Sequence, residues 1–407
     1  MHRQPPSPSP IASAQAPRTT SPRTGSPRAN QPGETQLGET QLGETQLGET
    51  QLGEARPTSR AATSRAWGCS GLRGWATVCG WATVCGWATV CRWATFCRWA
   101  TICCGASGLL LAGCEQATPP GNVQVIGQRG VDAGHFSKPR AIELDAQDQL
   151  YVVDMTGRVQ VLDRAGKYLR SWRTPEIANG KPCGLGFSRD GLLMVADTHY
   201  FRVLFYQTDG TPVPDRTIGG SNGRALGEFG FVTDAVQDQT GNYYVSEYGD
   251  FDRIQKFDSS GTPLCQWGEH GSEPGQFLRP QALAIDESNQ LWVADACNHR
   301  LQIFDLNETP PKLVRVLGRE GSGPGEFKYP YGIWLGPDDT ILVAEFGNHR
   351  VQRLRRSGEQ LAVFGSAGRG PGQFHQPWSL VLNSQGEVIA LDSYNHRLQK
   401  FRFETTE

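Results

Sequence analysis

The chain has 407 residues, more than one average domain of ~150 residues, and its 39 basic and 41 acidic residues nearly balance. Residues 1–114 hold ten Arg, no Lys and five Glu, so residues 115–407 carry 29 basic and 36 acidic residues and a net charge of −7. This negative charge argues against nucleic acid as a main partner. With only Cys183, Cys265 and Cys297 in that part, a disulfide scaffold is also excluded.

Residues 1–97 are low in complexity. After a segment rich in Pro, Ser and Arg, a five-residue unit, Gly-Glu-Thr-Gln-Leu, repeats four times over Gly33–Leu52. A six-residue unit, as in Gly80–Cys85, then recurs from Gly74 onward. Such composition predicts a disordered leader. Near-perfect short repeats are also what translation from a start codon placed too far upstream produces, so we expect the true start inside this region, near Val90.

Residues 98–113 have the features of a secretory signal. Arg92 and Arg98 give a positive flank, and Trp99 to Leu111 form an apolar run too short to cross a membrane. The run ends in Leu-Ala-Gly-Cys114, which resembles a bacterial lipobox and implies a lipidated Cys114, a linker over 114–121 and a lipid-anchored protein of the bacterial cell envelope, outside the cytoplasm. Glu115 slightly favours the outer membrane. An unlipidated secreted protein and a repeat-built membrane segment stay open as alternatives.

One unit recurs six times between residues 123 and 403. It contains a Gly-rich loop ending in Phe, then Pro, a first strand, a second strand ending in an acid, an Arg that opens a third strand, and a fourth strand ending in Gly. The acids are Asp154, Asp197, Glu247, Asp295, Glu345 and Asp392. The arginines are Arg158, Arg202, Arg253, Arg300, Arg350 and Arg397. A period of 40–50 residues with four strands is typical of propeller blades.

Three of these units read Asn298-His299-Arg300-Leu301, Asn348-His349-Arg350-Val351 and Asn395-His396-Arg397-Leu398. They resemble the NHL repeat, named for Asn-His-Leu, and the resemblance covers all six units. It implies an all-β, six-bladed β-propeller over residues 122–407. The strand Asn122–Ile126 precedes the first unit, and the sixth unit lacks a fourth strand. We therefore expect the N-terminal strand to close the ring.

The acid–Arg pair occurs in every unit, so we interpret it as structural rather than catalytic. The same interpretation applies to His299, His349 and His396, which are spaced like repeat elements and not like a metal-binding cluster. Function is expected where the units differ.

The residue after the repeat Pro should lie at the mouth of the central channel, and it differs in every unit: Arg140, Cys183, Thr233, Gln281, Tyr331 and Trp378. Loops after the second strand add His199, Tyr200, Tyr248, Phe346 and Tyr394 to the same face. Trp, Tyr and Arg dominate binding hot spots, so this set predicts a recognition surface. The alternative is that these side chains only fill the channel mouth.

The third unit departs most from the others, since it lacks the repeat Pro and carries several acids. Asp234, Glu247, Asp250 and Asp252 offer oxygen ligands for Ca²⁺, although a solvated acidic loop is the favoured interpretation. No other cofactor is expected.

Two function classes follow from this sequence. The first is a monomeric, lipid-anchored binding or scaffolding module that recognises a protein, peptide or glycan. The second is a metal-dependent lyase or lactonase using the same face. Some NHL propellers resemble the peptidyl-hydroxyglycine amidating lyase, in which zinc-binding His residues follow the first-strand Pro. This chain has no His at those six positions, and Asp234 is the only unrepeated acid expected near the channel.

Overall fold

The computed structural model describes residues 123–404, which form six four-stranded antiparallel sheets. The predicted leader, signal segment, linker and lipidation site at Cys114 lie outside the described residues. Within these residues, no helix has the length and hydropathy that crossing a membrane would require.

The strands of blades one to three follow one another along the chain. Blade one comprises β2 to β5, at Pro139–Leu144, Leu150–Asp154, Arg158–Leu162 and Tyr168–Arg173. Blade two comprises β6 to β9, at Gly184–Phe187, Leu193–Asp197, Arg202–Tyr206 and Ile218–Gly219. Blade three comprises β10 to β13, at Phe231–Gln237, Tyr243–Tyr248, Arg253–Phe257 and Pro263–Trp267.

Blades four and five repeat this arrangement, and blade six takes one strand from the N-terminal side. Blade four comprises β14 to β17, at Pro280–Ile285, Gln290–Asp295, Arg300–Asp305 and Lys312–Leu317. Blade five comprises β18 to β21, at Pro330–Gly336, Thr340–Glu345, Arg350–Arg355 and Gln360–Phe364. Blade six comprises β24 to β26, at Pro377–Leu382, Val388–Asp392 and Arg397–Phe401, together with β1 at Gln124–Ile126.

A few short elements complete the described chain. Ser366–Ala367 (β22) and Gln373–Phe374 (β23) form a small parallel pair. The 3-10 turns are Thr198–Tyr200, Pro214–Arg216, Ala296–Asn298 and Ser393–Asn395.

The ring closes as the sequence predicts. Strand β1 pairs antiparallel with β26, with Val125 opposite Gln399 and Ile126 opposite Leu398. The first strands of neighbouring blades contact one another in sequence order, and the first strand of blade six contacts that of blade one. The closure joins the two ends of the described chain and covers an edge that would otherwise expose unpaired backbone groups.

The hydrophobic core lies between blades rather than within them. Between blades four and five, for example, Leu301 and Ile303 pack with Ile333 and Val343. The Phe that ends the Gly-rich loop, present before every blade except blade two, is almost fully buried in such a layer, as Phe277 is between blades three and four. Gly268, at the end of the preceding outer strand, has φ +85°, and a Cβ there would overlap the ring of Phe277. The repeated Gly and Phe are therefore one packing unit.

Each blade contains the predicted acid–Arg pair. The six nitrogen–oxygen distances lie between 2.5 and 3.2 Å, and all six acids are fully buried. In blade four, Asp295 also accepts the Leu278 backbone N–H at 2.8 Å, and the Arg300 guanidinium donates to three carbonyls of the Gly-rich loop. The pair therefore ties the loop to the blade, which confirms its structural interpretation.

The repeat histidines join neighbouring blades. Nδ1 of His299 accepts the Tyr329 backbone N–H of the next blade at 3.0 Å, and His349 accepts that of Gln376 at the same distance. His396 does the same for Lys138 and thereby links blade six to blade one. Burial lowers the pKa of all three rings, and this favours the neutral form that can accept the bond. Their structural interpretation is therefore also confirmed.

Blade two departs from this pattern. Tyr200 and Leu204 stand where blade four has Asn298 and Gln302, so Asp197 lacks two amide donors. Its Oδ2 pairs with Arg202 at 2.9 Å, while Oδ1 has no hydrogen-bond partner. Desolvation accordingly raises the pKa of Asp197 to about 6.

Candidate functional site

A β-bulge occurs at the residue after the repeat Pro. The strand register shifts between Pro139 and Ala141, and corresponding shifts occur in blades three to six. A bulge places two residues against one on the partner strand and redirects a side chain. The bulge thus turns one variable side chain toward the channel mouth in blades one, four, five and six.

These side chains line a single small pocket. It includes Arg140, Cys183, Gln281, Tyr331 and Trp378, five of the six residues predicted at the mouth. Its volume is about 30 Å³, which leaves room for about two water molecules. Trp378 is only 7% exposed and Tyr331 only 2%, so the mouth is largely filled by its own side chains.

Thr233 is not in this pocket, and its predicted place was wrong. The bulge in blade three lies between Val232 and Asp234. The Thr233 hydroxyl is fully buried, donates to the Pro280 carbonyl at 2.6 Å and lies 2.7 Å from the Ser246 hydroxyl. Asp234 lines the pocket instead. The bulge itself falls at the same strand position as in blades four and five, so the difference lies in the hydrogen bonds of the Thr233 hydroxyl, which the repeat pattern does not predict.

An aromatic cluster covers one side of the mouth. The Tyr331 ring stacks on Phe346 with centroids 4.6 Å apart, and Trp378 meets Tyr331 edge-on at 4.9 Å. Tyr394 meets Phe346 edge-on at 6.2 Å. The structure thus brings four of the predicted face residues, from blades five and six, into one cluster.

Cationic side chains lie against these aromatic rings. The Arg140 guanidinium is 5.0 Å from the Trp378 ring centroid, and Lys138 is 4.2 Å from that of Tyr394. Arg279 lies 4.5 Å from the Tyr248 ring and 5.4 Å from that of Tyr331. Lys138 and Arg279 both precede a repeat Pro, in the left-handed backbone conformation. Sequence reasoning missed both, although their place before the Pro was visible in the repeat.

His199 and Tyr200 belong to a different part of the face, at the junction of blades two and three. The His199 ring lies 4.7 Å from Phe231, and the Tyr200 hydroxyl accepts the Asn179 backbone N–H at 3.1 Å. Tyr248 contacts the same Phe231 at 5.3 Å and so connects this part to Arg279.

Two partly buried carboxyl groups lie on first strands. Asp234 accepts the backbone N–H groups of Ala235 and Leu283, each at 2.9 Å. Burial raises the pKa of Asp234 to about 7 and that of Glu143 to about 8, and the Asp234 charge contributes to the second shift. Glu143 was missed from sequence, so Asp234 is not the only unrepeated acid here. The sequence signal for Glu143 was an acid at a strand position where the equivalent residues of blades four to six are Ala284, Trp334 and Val381.

The four acids considered as calcium ligands do not converge. Glu247 pairs with Arg253 at 2.6 Å, and Asp252 lies 2.5 Å from the His270 ring and accepts the Arg279 backbone N–H. Asp250 alone is exposed, so the solvated-loop interpretation is also wrong for Glu247 and Asp252. Over residues 123–404, no group of three or more His, Cys, Asp or Glu side chains could hold a metal ion.

Comparison with known proteins identifies the repeat. The sequence pattern described as "NHL repeat" matches residues 277–304 and 374–401. The chain therefore carries NHL repeats on a six-bladed propeller.

Similar curated proteins are matched over part of their length. Peptidyl-glycine alpha-amidating monooxygenase of Mus musculus is 33% identical over 166 residues, which are 39% of this chain and 16% of that protein. NHL repeat-containing protein 3 of Mus musculus is 28% identical over 178 residues, which are 40% of this chain and 51% of that protein. The chain thus matches about one sixth of the first relative and half of the second.

Solved structures share the fold. An auxiliary nutrient binding protein from Bacteroides ovatus superposes with a TM-score of 0.54 at 15% identity, over 70% of this chain and 76% of that chain. A streptogramin B lyase superposes with a TM-score of 0.50 at 14% identity, over 70% of this chain and 98% of that one. At this level of identity, the likeness concerns the fold alone.

The raised pKa of Glu143 gives a pH dependence. The pKa of Glu143 is about 8 in the folded state, against 4.5 ordinarily. Between pH 4.5 and about 8, the native protein therefore retains a proton that the unfolded chain has lost. Stability should therefore fall as the pH rises toward 8. We expect Glu143→Gln to flatten this fall in melting temperatures measured from pH 5 to 9. The exposed Glu359→Gln should leave the slope as in wild type, and equal slopes for all three proteins would contradict the assignment.

Proposed function

We propose that this chain is a non-enzymatic binding or scaffolding propeller. It recognises a protein, peptide or glycan on the face formed by the partly exposed Arg140, Phe346 and Tyr394, of which Phe346 packs on the buried Tyr331 and Trp378 rings. One observation carries the proposal: polar residues that recur in the blades bind their own loops or the next blade, whereas unrepeated side chains gather at the channel mouth. Aromatic and Arg side chains of this kind are the usual anchors of binding surfaces.

The arrangement of these side chains supports this role. Arg140 and Lys138 lie on the rings of Trp378 and Tyr394, and such cation–aromatic contacts hold the side chains in fixed positions before a ligand arrives. One structural relative is an auxiliary nutrient binding protein, which agrees with a binding role, although that likeness concerns the fold.

A metal-dependent lyase or lactonase is the second candidate, favoured only by the similarity to the amidating monooxygenase. The donor set does not fit a zinc site. The positions after the repeat Pro hold Arg140, Cys183, Gln281, Tyr331 and Trp378, with Val232 and Thr233 in blade three, and include no His.

We expect the full-length chain to bind members of a peptide or glycan array, and Tyr394→Ala to weaken that binding about tenfold or more, because it removes a ring from the face. Tyr168→Ala, on the outer strand of blade one, is the matched control and should bind as wild type. Equal binding by both variants would contradict the assignment of the face. One zinc ion per purified chain, with melting lowered by a chelator, would favour the lyase instead.

We also propose that Cys114 is lipidated after cleavage of the segment 98–113 and that the propeller is held at the bacterial envelope, outside the cytoplasm, as a monomer. The support is the apolar run ending in Leu-Ala-Gly-Cys, followed by a polar linker. Stable anchoring requires more than one acyl chain, which diacylation of a cysteine would supply.

Expression of the full gene in a bacterium tests the anchor. We expect wild type to sediment with membranes and to incorporate labelled palmitate. Cys114→Ser should lose the label and move to the soluble fraction, while Cys183→Ser should behave as wild type. Label retained by Cys114→Ser would contradict the proposal.

A further inference from the structure

The three repeat histidines hold the backbone next to the proposed binding face. Each ring accepts, at 3.0 Å, the N–H of a residue that precedes the repeat Pro of the next blade. Each donor lies two residues before a side chain of the channel mouth, in the pairs Tyr329 and Tyr331, Gln376 and Trp378, and Lys138 and Arg140. The three donors have left-handed backbones, with φ between 47° and 55°. This conformation costs a residue with a side chain about 1–2 kcal/mol, so the bond helps to hold it.

The histidines occur at consecutive blade junctions. The residue before the repeat Arg has a left-handed backbone in every blade, but it is a histidine only in blades four, five and six. The other blades have Gly157, Phe201 and Asp252 there. Asp252 accepts the Arg279 backbone N–H of blade four at 2.8 Å, so the bond itself does not require an imidazole. The histidines thus hold blades five, six and one, which supply the binding face.

The bond between blades requires that Nδ1 of the imidazole carries no proton. A backbone N–H can only donate, so the ring nitrogen that it meets must accept. A proton on Nδ1 would place two donors against each other, and the bond would be lost. The residue before the repeat Pro would then lose the contact that supports its left-handed backbone, and the mouth side chain two residues further on would lose its fixed place.

Burial keeps the three rings neutral. It lowers the pKa of each ring below the ordinary 6.5, and positive neighbours act in the same direction. The titratable and charged neighbours are Glu320, Lys328, Asp295 and Tyr329 for His299, His375, Asp392 and Lys328 for His349, and Arg129 and Lys138 for His396. The rings are therefore neutral at pH 7.5 and take up protons only below pH 6.5.

We propose that His299, His349 and His396 form an acid-sensitive latch on the binding face, which is closed while the rings are neutral and opens when they are protonated. The proposal rests on the proposed function, because it assigns a regulation to the same face. Opening acts on three neighbouring blades at once, so a ligand held at neutral pH is released in acid.

The latch also makes part of the stability depend on pH. Because the pKa of each ring is lower in the folded protein than in the unfolded chain, the unfolded chain binds more protons as the pH falls below 6.5. The stabilisation by the histidines is therefore complete above pH 6.5 and declines below it. Glu143 acts in the opposite direction between pH 4.5 and about 8, so the test follows single amide groups instead of the melting temperature.

Hydrogen exchange of the full-length chain, followed by NMR at pH 7.5 and pH 5, tests the latch without a ligand. We expect the protection factors of the Tyr329, Gln376 and Lys138 amides to fall about tenfold in acid, which is the effect of losing one hydrogen bond. Unchanged protection of all three amides would overturn the proposal.

A triple variant with His299→Asn, His349→Asn and His396→Asn is the matched comparison. Asn tolerates the left-handed backbone and offers an acceptor oxygen that takes up no proton in this range, so the three amides should keep their protection in acid. His135→Asn changes a histidine that contacts Gln128 and Asp132 of its own loop, and it should respond to acid as wild type does. An equal fall in the triple variant and in wild type would contradict the latch. If the triple variant does not fold, the three single variants carry the test.

Array binding at the two pH values separates the latch from the proposed function. Array members bound at pH 7.5 should bind wild type about tenfold more weakly at pH 5, and the triple variant equally at both. If the amides respond as expected but Tyr394→Ala binds as wild type does, the latch stands and the assignment of the face fails. If Tyr394→Ala weakens binding but the amides keep their protection in acid, the proposed function stands and the latch fails.

Discussion

The buried acid–Arg pair is the interaction on which the rest of the structure depends. A carboxylate without contact to water needs a partner, and in blade four Arg300 provides it at 2.8 Å while also binding three loop carbonyls. The same acid accepts a loop N–H, and Gln302 donates to it from the third strand. Loop, second strand and third strand are joined in this way in every blade except blade two, where Asp197 accepts no loop N–H.

The repeated polar residues make structural bonds, so function is expected from the unrepeated residues at the channel mouth. His299, His349 and His396 are committed to hydrogen bonds between blades, and the repeat acids to their arginines. The side chains after the repeat Pro take no part in these repeated bonds, so they can differ from blade to blade. A bulge at that place directs them inward, so variation in sequence becomes variation in the pocket.

Much of the fold could be predicted from the sequence because the acid–Arg pair recurs in all six blades and the Gly–Phe contact in five of them. Closure by the N-terminal strand also followed, since the sixth unit lacked a fourth strand. Less of the candidate site could be predicted from the sequence. The place of Thr233 depends on its hydrogen bonds to Ser246 and Pro280, and the ring contacts of Arg140 and Arg279 depend on how neighbouring blades meet. Neither is visible in a linear pattern.

The inward place of Glu143 has a similar origin. Glu143 belongs to blade one and Asp234 to blade three, so only the folded ring brings the two carboxyl groups near enough for the Asp234 charge to act on Glu143. The calcium hypothesis failed for a related reason, because Glu247 and Asp252 are neighbours in sequence but are bound to different partners.

The most direct test of this account compares two arginines on one strand of blade five. Arg350 pairs with the fully buried Glu345, whereas Arg355 pairs with Glu359 and is 51% exposed. We expect Arg350→Ala to lower the free energy of unfolding by about 3 kcal/mol, because it leaves a buried carboxylate uncompensated. Arg355→Ala should lower it by less than about 1 kcal/mol. Chemical denaturation of both variants decides: equal losses would contradict the claim that the buried pair holds the loop and strands of each blade together.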